Sequence, residues 1–238
     1  MAAKGLSRAS RSSVTAGKPS AEKFYLFVRS ILVEAGLLLA SSLLFSLSFP
    51  NVLVKSGIFP LAFIALVPVF IVVHRAGWIR VFLYGLFYGF ITYAIFNFWL
   101  ATFHPLALAV VPLIYAFYFL VFFPVLKAID HFLPEHGYLL QACAWIAFEY
   151  LRVQGYLGYA YGILGYTQYL FLPLARVASL TGIWGVTILV VFPSAYLGNM
   201  LKEGIFLFLH NVRRHVIPAI VYGAVMLVVV IYGVASYA

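Results

Sequence analysis

Long runs of apolar residues fill most of the 238-residue chain, and short polar segments separate them. Each run holds roughly 20 predominantly apolar residues, the length at which an α-helix crosses a hydrocarbon core of about 30 Å. The pattern therefore predicts an all-α membrane protein, a polytopic bundle of about seven transmembrane helices. The predicted spans cover residues 27–48, 57–74, 79–101, 106–126, 138–156, 177–200 and 215–237.

Prolines bear on two of these boundaries. Pro60 lies in the first turn of the second run, where a missing backbone N–H costs little. Pro124 lies near the end of the fourth run and predicts a kink or a stop in that helix.

The first 23 residues have no apolar periodicity and are rich in Ser, Ala, Lys and Arg. This composition predicts a disordered basic tail over residues 1–23, followed by a transmembrane domain over residues 24–238. The apolar run after the tail is too long for a signal peptide and has no clear small-x-small cleavage site. We therefore expect an uncleaved first helix.

The basic residues are unevenly distributed between alternate connecting segments. Cytoplasmic loops of membrane proteins collect Lys and Arg. With the amino terminus inside, only Lys55, Arg152 and Arg176 lie in outer segments, and the other 12 of the 15 basic residues lie in inner ones. This bias predicts a cytoplasmic amino terminus and an extracytoplasmic carboxyl terminus.

Composition excludes several other classes of protein. A chain that is 65% hydrophobic, with a mean hydropathy of +1.06, cannot bury its apolar side chains in one soluble core. The formal charge of +9 is scattered rather than gathered on one face, so no nucleic-acid partner is expected. Cys143 lies in an apolar run without a nearby His, which favours packing over nucleophilic catalysis. The six histidines form no convincing metal set, and we expect no metal or cofactor.

Glu149 and Arg152 are the most unusual residues of the fifth run, because they place opposite charges three positions apart on one helical face. They could pair with each other at the membrane interface and simply end the helix. Ionisable groups at membrane depth more often face a cavity or a substrate path, and this functional interpretation is favoured.

The residues after Arg152 alternate glycine with tyrosine in the stretch "GYLGYAYGILGYTQ", residues 155–168, here called the Gly/Tyr segment. Each glycine weakens a helix by about 1 kcal/mol relative to alanine. The stretch is too apolar for an ordinary aqueous loop, which predicts an irregular, semi-buried segment at the outer interface. Close helix packing through Gly158 and Gly162 is an equally open alternative.

The third run supplies three further candidates. Asn97 and Trp99 near its outer end could face the same cavity as Glu149, and Trp99 alone could also be an aromatic anchor at the membrane interface. His104 follows on the outer side, where a capping or interfacial role is favoured over catalysis. The pattern "GLFYG" at 85–89 predicts a close contact with another helix.

Several short motifs occur together in a definite order, and together they resemble a known family. These motifs are "LSFP" (47–50), "PLAFIALVPVF" (60–70), "NFW" (97–99), "EYLR" (149–152), "GYAYGILGYTQ" (158–168) and "LTGIWGVTIL" (180–189). From about residue 30 to 200 the chain resembles the membrane domain of bacterial apolipoprotein N-acyltransferases.

The resemblance implies an inner-membrane protein that takes an acyl chain from a phospholipid and passes it to the diacylglyceryl-cysteine of an apolipoprotein. In that family the chemistry belongs to a nitrilase-like domain, whose Glu, Lys and Cys form a thioester acyl-enzyme. That domain follows the last helix, and the present chain stops at Ala238, where it is expected to begin. No catalytic residue can be carried over, and Cys143 matches none. We therefore expect a domain that is inactive alone, whether truncated, separately encoded or excised.

The family motifs assign roles to a small set of residues. The resemblance implies that lipid or substrate is bound by Glu149, Arg152, Tyr166 and Gln168. Asn97, Trp99 and His104 are added as binding candidates because of their position on the predicted outer side. The structural motif glycines are Gly165, Gly182 and Gly185. Arg152 is expected either to attract a phospholipid phosphate or to hold Glu149 in place.

Two departures from the family pattern lie on the predicted outer side. Tyr159, Ala160 and Tyr161 replace a usual Phe-Pro-Trp, and His104 with Pro105 replaces a Gly pair. Both changes put donor and acceptor preferences in question, though not the family.

Two other functional classes remain open at this point. The chain could be a non-catalytic membrane anchor or partner of a separate polyprenyl-phosphate transferase. It could also be a small transporter, although its polar residues do not form a path through the membrane centre.

Overall fold

The computed structural model describes residues 20–156 and 158–236, and every regular element within them is helical. The α-helices are α1 (Ser20–Ser48), α2 (Val67–Arg75), α3 (Trp78–Phe96), α4 (Ala107–Phe132), α5 (Gly137–Arg152), α6 (Leu172–Ala175), α7 (Ala178–Leu201), α8 (Phe208–Arg214) and α9 (Val216–Ala235). Three short 3₁₀ helices cover Phe59–Phe63, Phe98–Thr102 and Leu164–Leu170.

The predicted fold class is confirmed, because the chain is an all-α membrane protein. In the described part, α1, α3, α4, α7 and α9 are long and apolar enough to cross a membrane. The segment Phe59–Arg75 is a shorter apolar unit, and α5 has 16 residues. The number of spans and the orientation of the termini stay predictions.

Several predicted boundaries were wrong. Residues 1–19 of the predicted tail lie outside the described residues, but α1 begins at Ser20 and takes the last four tail residues. The fourth helix does not stop at Pro124, because α4 continues to Phe132. In a membrane helix, neighbouring helices can satisfy the backbone groups that a proline releases.

The second predicted span is divided into two pieces. The 3₁₀ helix Phe59–Phe63 has proline in its first turn, and α2 begins at Val67 with Pro68 next to it. Each proline lies in the first turn of its helix, where the backbone N–H has no partner within the helix, so its absence costs no helical hydrogen bond. The third and fifth spans also end early as α-helices, at Phe96 and Arg152.

Helices α3 and α4 are packed backbone against backbone, as the GxxxG pattern predicts. A Cβ atom added at Gly85 would lie 2.2 Å from the carbonyl oxygen of Phe119, and one at Gly89 would lie 2.5 Å from that of Tyr115. Only glycine allows this approach, so the prediction of a close helix contact is confirmed. The contact also fixes Tyr115, which belongs to the site described below.

The two ends of the bundle differ in charge. Helices α1, α3 and α5 finish at one end, here called the groove end, where α4 and α7 begin. Lys55, Arg152 and Arg176 lie there. At the opposite end, Lys202 donates to the carbonyl oxygen of Pro134, and Arg214 Nη2 lies 2.7 Å from Glu135 Oε1.

Two ion pairs near the opposite end join helices inside the bundle. Arg80 Nη1 lies 2.7 Å from Glu34 Oε2, which ties α3 to α1. His74 Nδ1 lies 2.9 Å from Asp130 Oδ2, which ties α2 to α4. The Phe59–Arg75 segment therefore runs from the groove end to the opposite end, as its place in the sequence predicts.

Candidate functional site

An open apolar groove of about 860 Å³ lies at the groove end of the bundle. This volume is in the range of sites that hold small molecules. Three parts of the chain form its walls: the loop after α1, the end of α3 with the turn behind it, and the stretch 160–169. The lining side chains used below are Phe49, Lys55, Phe96, Trp99, Tyr161, Tyr166 and Tyr169.

The loop after α1 is held in shape by its own hydrogen bonds. Asn51 Nδ2 donates to the carbonyl oxygen of Phe49 at 2.9 Å, and its Oδ1 accepts from the backbone N–H of Val54 at 2.9 Å. The backbone N–H of Ile58 returns to the carbonyl oxygen of Leu47 at 2.8 Å. This loop therefore has a defined conformation where it borders the groove.

Arg152 supports the wall of the groove from inside. The side chain is buried, and its Nη1 donates to the Tyr115 phenol at 2.7 Å and to the carbonyl oxygens of Tyr159 at 3.0 Å and Tyr161 at 2.9 Å. Its guanidinium also lies 5.9 Å and 5.5 Å from the ring centroids of Tyr93 and Tyr115. A charged donor forms stronger hydrogen bonds than a neutral one, so these contacts fix the backbone of the Gly/Tyr segment.

Glu149 is buried beside Arg152 but takes different partners. Its Oε1 accepts from Trp145 Nε1 at 3.1 Å and from the backbone N–H of Leu164 at 3.3 Å. Its Oε2 has no hydrogen-bond partner. Among the ion pairs within 4.0 Å in the described part of the chain, none joins Glu149 to Arg152. The alternative that the two residues simply pair with each other was wrong.

Asn97 and Gln168 are fully buried behind the groove wall. Tyr159 Oη donates to Asn97 Oδ1 at 2.9 Å, and Gln168 Nε2 donates to the carbonyl oxygen of Phe59 at 3.3 Å. Burial, reinforced by Tyr115, raises the pKa of the Tyr159 phenol above its ordinary value, so it remains a proton donor. These contacts attach the Gly/Tyr segment to α3 and to the first 3₁₀ helix.

The predicted site residues therefore fall into two groups. Trp99 and Tyr166 line the groove, and Glu149, Arg152, Asn97 and Gln168 lie behind its wall. Their assignment to lipid binding stays a prediction.

His104 belongs to neither group. It is exposed, and its Nδ1 accepts from the backbone N–H of Leu106 at 3.1 Å, next to the start of α4. This bond lies within the turn before α4, whose N-terminal cap residue Leu106 has no side-chain capping bond. The capping or interfacial role of His104 stays a prediction.

Glycine residues give the segment after α5 backbone conformations that are not helical. Gly162 has a φ of 80°, which excludes it from a helix, and a Cβ there would lie 3.2 Å from the Tyr93 phenol oxygen. The prediction of an irregular segment is confirmed for residues 158–163, whereas residues 164–168 belong to the third 3₁₀ helix. The alternative of helix packing through Gly158 and Gly162 was wrong.

The three motif glycines lie on or against α7. A Cβ at Gly165 would lie 2.7 Å from Thr187 Oγ1, so this glycine lets the third 3₁₀ helix pack closely on α7. Gly182 has a φ of 66° and interrupts α7 four residues after its start. Gly185 follows it and faces Thr181, whose Oγ1 a Cβ would overlap.

Sequence reasoning missed several groove residues. Phe49 lies within the LSFP motif, which was used only to recognise the family, and Lys55 was treated only as a topology signal. Tyr169 lines the groove as well, and so does Tyr161, which was noted only as a departure from the family pattern. The signal that could have found Lys55 is its position four residues after Asn51, a residue type that commonly builds turns.

The described residues do not suggest metal or thiol chemistry at this site. Within residues 20–156 and 158–236, no group of three or more His, Cys, Asp and Glu could hold a metal ion. Cys143 lies exposed on α5, not packed inside the bundle as its apolar surroundings predict. It is also about 13 Å along the helix from Arg152, at 1.5 Å per residue.

The contacts of Glu149 lead to a first prediction. Glu149→Gln keeps an oxygen acceptor for Trp145 and Leu164 and removes a buried charge, so the free energy of unfolding should change by less than about 1 kcal/mol. Glu149→Leu leaves both donors unpaired and should cost about 2 kcal/mol or more. Unfolding of the purified variants in mixed micelles measures both values. An equal loss in the two variants would show that the negative charge itself is required.

Comparison with known proteins places the chain in a family. The family described as Apolipoprotein N-acyltransferase N-terminal domain matches residues 41–196. Apolipoprotein N-acyltransferase 1 of Treponema denticola is 42% identical over 181 residues, which cover 76% of this chain and 32% of the relative. Apolipoprotein N-acyltransferase 1 of Treponema pallidum is 39% identical over 163 residues, which cover 68% and 30%.

The match leaves most of each relative uncovered, since the chain spans about a third of the length of these curated relatives. The family match nevertheless includes the end of α3, both Glu149 and Arg152, the Gly/Tyr segment and most of α7. The matched region therefore contains all the residues that line the groove and the buried residues that support its wall. The chain belongs to the apolipoprotein N-acyltransferase N-terminal domain family.

Proposed function

We propose that this chain is the membrane domain of an apolipoprotein N-acyltransferase, which transfers an acyl chain from a phospholipid to the diacylglyceryl-cysteine of an apolipoprotein. The observation that carries the proposal is the apolar groove of about 860 Å³ in a chain of this family. The names of the two Treponema relatives agree with an N-acyltransferase activity.

The groove suits the hydrocarbon part of a lipid. Aromatic side chains form most of its walls, including Phe49, Phe96 and Trp99. Burial of an acyl chain against such a wall is favourable by about 0.8 kcal/mol for each methylene group. The fixed wall behind Tyr161 reduces the entropy that binding would otherwise cost.

We place the groups that carry out acyl transfer outside the described residues as part of the same proposal. A nitrilase-like domain is proposed as the catalytic partner, with Cys as nucleophile, Glu as general base and Lys at the oxyanion. The membrane domain would hold the lipid substrate beneath it. This role requires only binding and orientation from the present residues.

The proposed location is the bacterial inner membrane, with the groove end on the extracytoplasmic side. The described residues at the opposite end carry most of the Lys and Arg, including Lys127, Lys202, Arg213 and Arg214. The groove end carries Lys55, Arg152 and Arg176. This distribution supports the orientation because cytoplasmic segments collect basic residues.

A chimera tests the proposal. Residues 1–238 replace the corresponding part of the Treponema denticola relative, and a vesicle assay measures transfer of a radiolabelled acyl chain from phospholipid to a diacylglyceryl-cysteine peptide. We expect transfer by the chimera. Ala160 also lines the groove. We expect about a tenfold loss in Ala160→Trp, because excluding two methylenes from the groove costs roughly 0.8 kcal/mol each.

Ala40→Trp is the matched control, since Ala40 is exposed on α1 and does not line the groove. Full transfer by Ala160→Trp would contradict a role for the groove. Absence of transfer by a chimera that is inserted and folded would contradict the role of the chain as the membrane domain of this enzyme.

A further inference from the structure

The three basic residues at the groove end are not equivalent. Arg152 is buried and donates to the Tyr115 phenol and to two backbone carbonyls. Arg176 Nη1 donates to the carbonyl oxygen of Gly233 at 3.0 Å and binds α9 to the rest of the bundle. Lys55 is exposed and lines the groove. Of these three basic residues, only Lys55 lines the groove.

The charge of Lys55 is not compensated within the groove. No Asp or Glu is among the lining residues, and no ion pair in the described part of the chain includes Lys55. A cation at the edge of an apolar surface interacts more strongly with an anion than it would in bulk water, because the local dielectric is lower. The groove therefore combines a long apolar wall with one positive charge.

The loop that carries Lys55 is fixed on both sides. Asn51 closes its first turn, and the N–H of Ile58 bonds back to Leu47 beyond the loop. Tyr169, which lines the groove, donates to the carbonyl oxygen of Ser56 at 3.1 Å. Because both neighbours of Lys55 are in this fixed loop, its backbone is held at the edge of the groove, and its side chain lines the groove near Tyr169.

This combination selects an amphiphile with an anionic head. We propose that the Lys55 ammonium binds the phosphate of the phospholipid donor, while an acyl chain lies against Phe49, Phe96 and Trp99. The proposal rests on the proposed function and adds a residue that recognises the donor. Lys55, and not Arg152, then distinguishes a phospholipid from a neutral diacylglycerol, which fits the apolar wall but offers no anion to Lys55.

Photolabelling of the full chain in vesicles tests this assignment. The two probes are a phospholipid and a diacylglycerol that carry the same diazirine in the acyl chain, and mass spectrometry identifies labelled peptides around Trp99 and Tyr161. In Lys55→Gln we expect phospholipid labelling to fall by about fivefold, as loss of one cation near an anionic group predicts. Diacylglycerol labelling should not change.

Two variants serve as controls. Lys55→Arg keeps the positive charge and should retain most phospholipid labelling. Arg213→Gln removes an exposed cation from α8 at the opposite end and should leave labelling by both probes unchanged.

The other outcomes separate this proposal from the proposed function. Equal phospholipid labelling in the wild type and Lys55→Gln overturns the role of Lys55 and leaves the lipid groove in place. An equal fall with both probes also overturns it, because Lys55 would then shape the groove without contacting phosphate. Absence of labelling by either probe in the wild type overturns the proposed lipid groove as well.

Discussion

Gly89→Ala is expected to lower the free energy of unfolding by about 3 kcal/mol, which is at the upper end of the usual cost of overpacking. The added Cβ would lie 2.5 Å from the carbonyl oxygen of Tyr115 and 2.9 Å from the Cα of Ala116. Both are backbone atoms that cannot rotate away, so α3 and α4 must separate. Separation would displace Tyr115 and with it a hydrogen bond of Arg152.

Gly36→Ala provides the matched control for this substitution. Gly36 is also in a long apolar helix, but no atom lies within 4 Å of the position of its Cβ. Alanine should therefore leave stability unchanged or raise it by up to about 1 kcal/mol. Unfolding midpoints in mixed micelles compare the two variants. Equal midpoints for Gly89→Ala and the wild type would contradict the backbone contact between α3 and α4.

Arg152→Ala is expected to cost about 3 kcal/mol, because it removes the charged donor from the buried Tyr115 phenol and from the partly buried carbonyl oxygens of Tyr159 and Tyr161. The loss should be concentrated in the groove wall. Hydrogen exchange is expected to accelerate at the backbone amides of residues 158–163, while the amides of α3 and α4 stay protected. Thermal unfolding and hydrogen exchange in detergent measure the two effects.

Two further variants are compared with Arg152→Ala. Lys in place of Arg152 keeps the charge but loses the planar fork, so Arg152→Lys should recover only part of the stability. Arg213→Ala, at an exposed position, should have no effect. If Arg152 instead bound a lipid phosphate, its removal would weaken lipid binding and leave stability and hydrogen exchange unchanged.

The fold class was accessible from sequence because hydropathy determines which segments enter a membrane. The contact at Gly85 and Gly89 was also accessible, since small residues four apart allow helices to approach. The division of residues 57–74 was harder to foresee, because an apolar run does not show which backbone hydrogen bonds form within it. Pro68, at the start of α2, was the available signal.

The site was only partly accessible, for a different physical reason. The spacing of Glu149 and Arg152 places both on one helical face, and both are buried as membrane depth suggests. Spacing does not show where a long guanidinium extends. Its acceptors include backbone carbonyls of Tyr159 and Tyr161, whose direction depends on glycine conformations such as that of Gly162. Lys55 was missed because its place beside the groove arises from the folded loop.

The partners of Arg152 also impose an order on biosynthesis. Tyr115 is translated before Arg152, whereas Tyr159 and Tyr161 are translated after it. At about 5–20 residues per second, Tyr161 is added up to roughly two seconds after Arg152. Formation of the wall is therefore a maturation step that follows synthesis of α5. A ribosome-bound intermediate that ends within the Gly/Tyr segment would contain the sequences of α1 to α5 and still lack a complete groove wall.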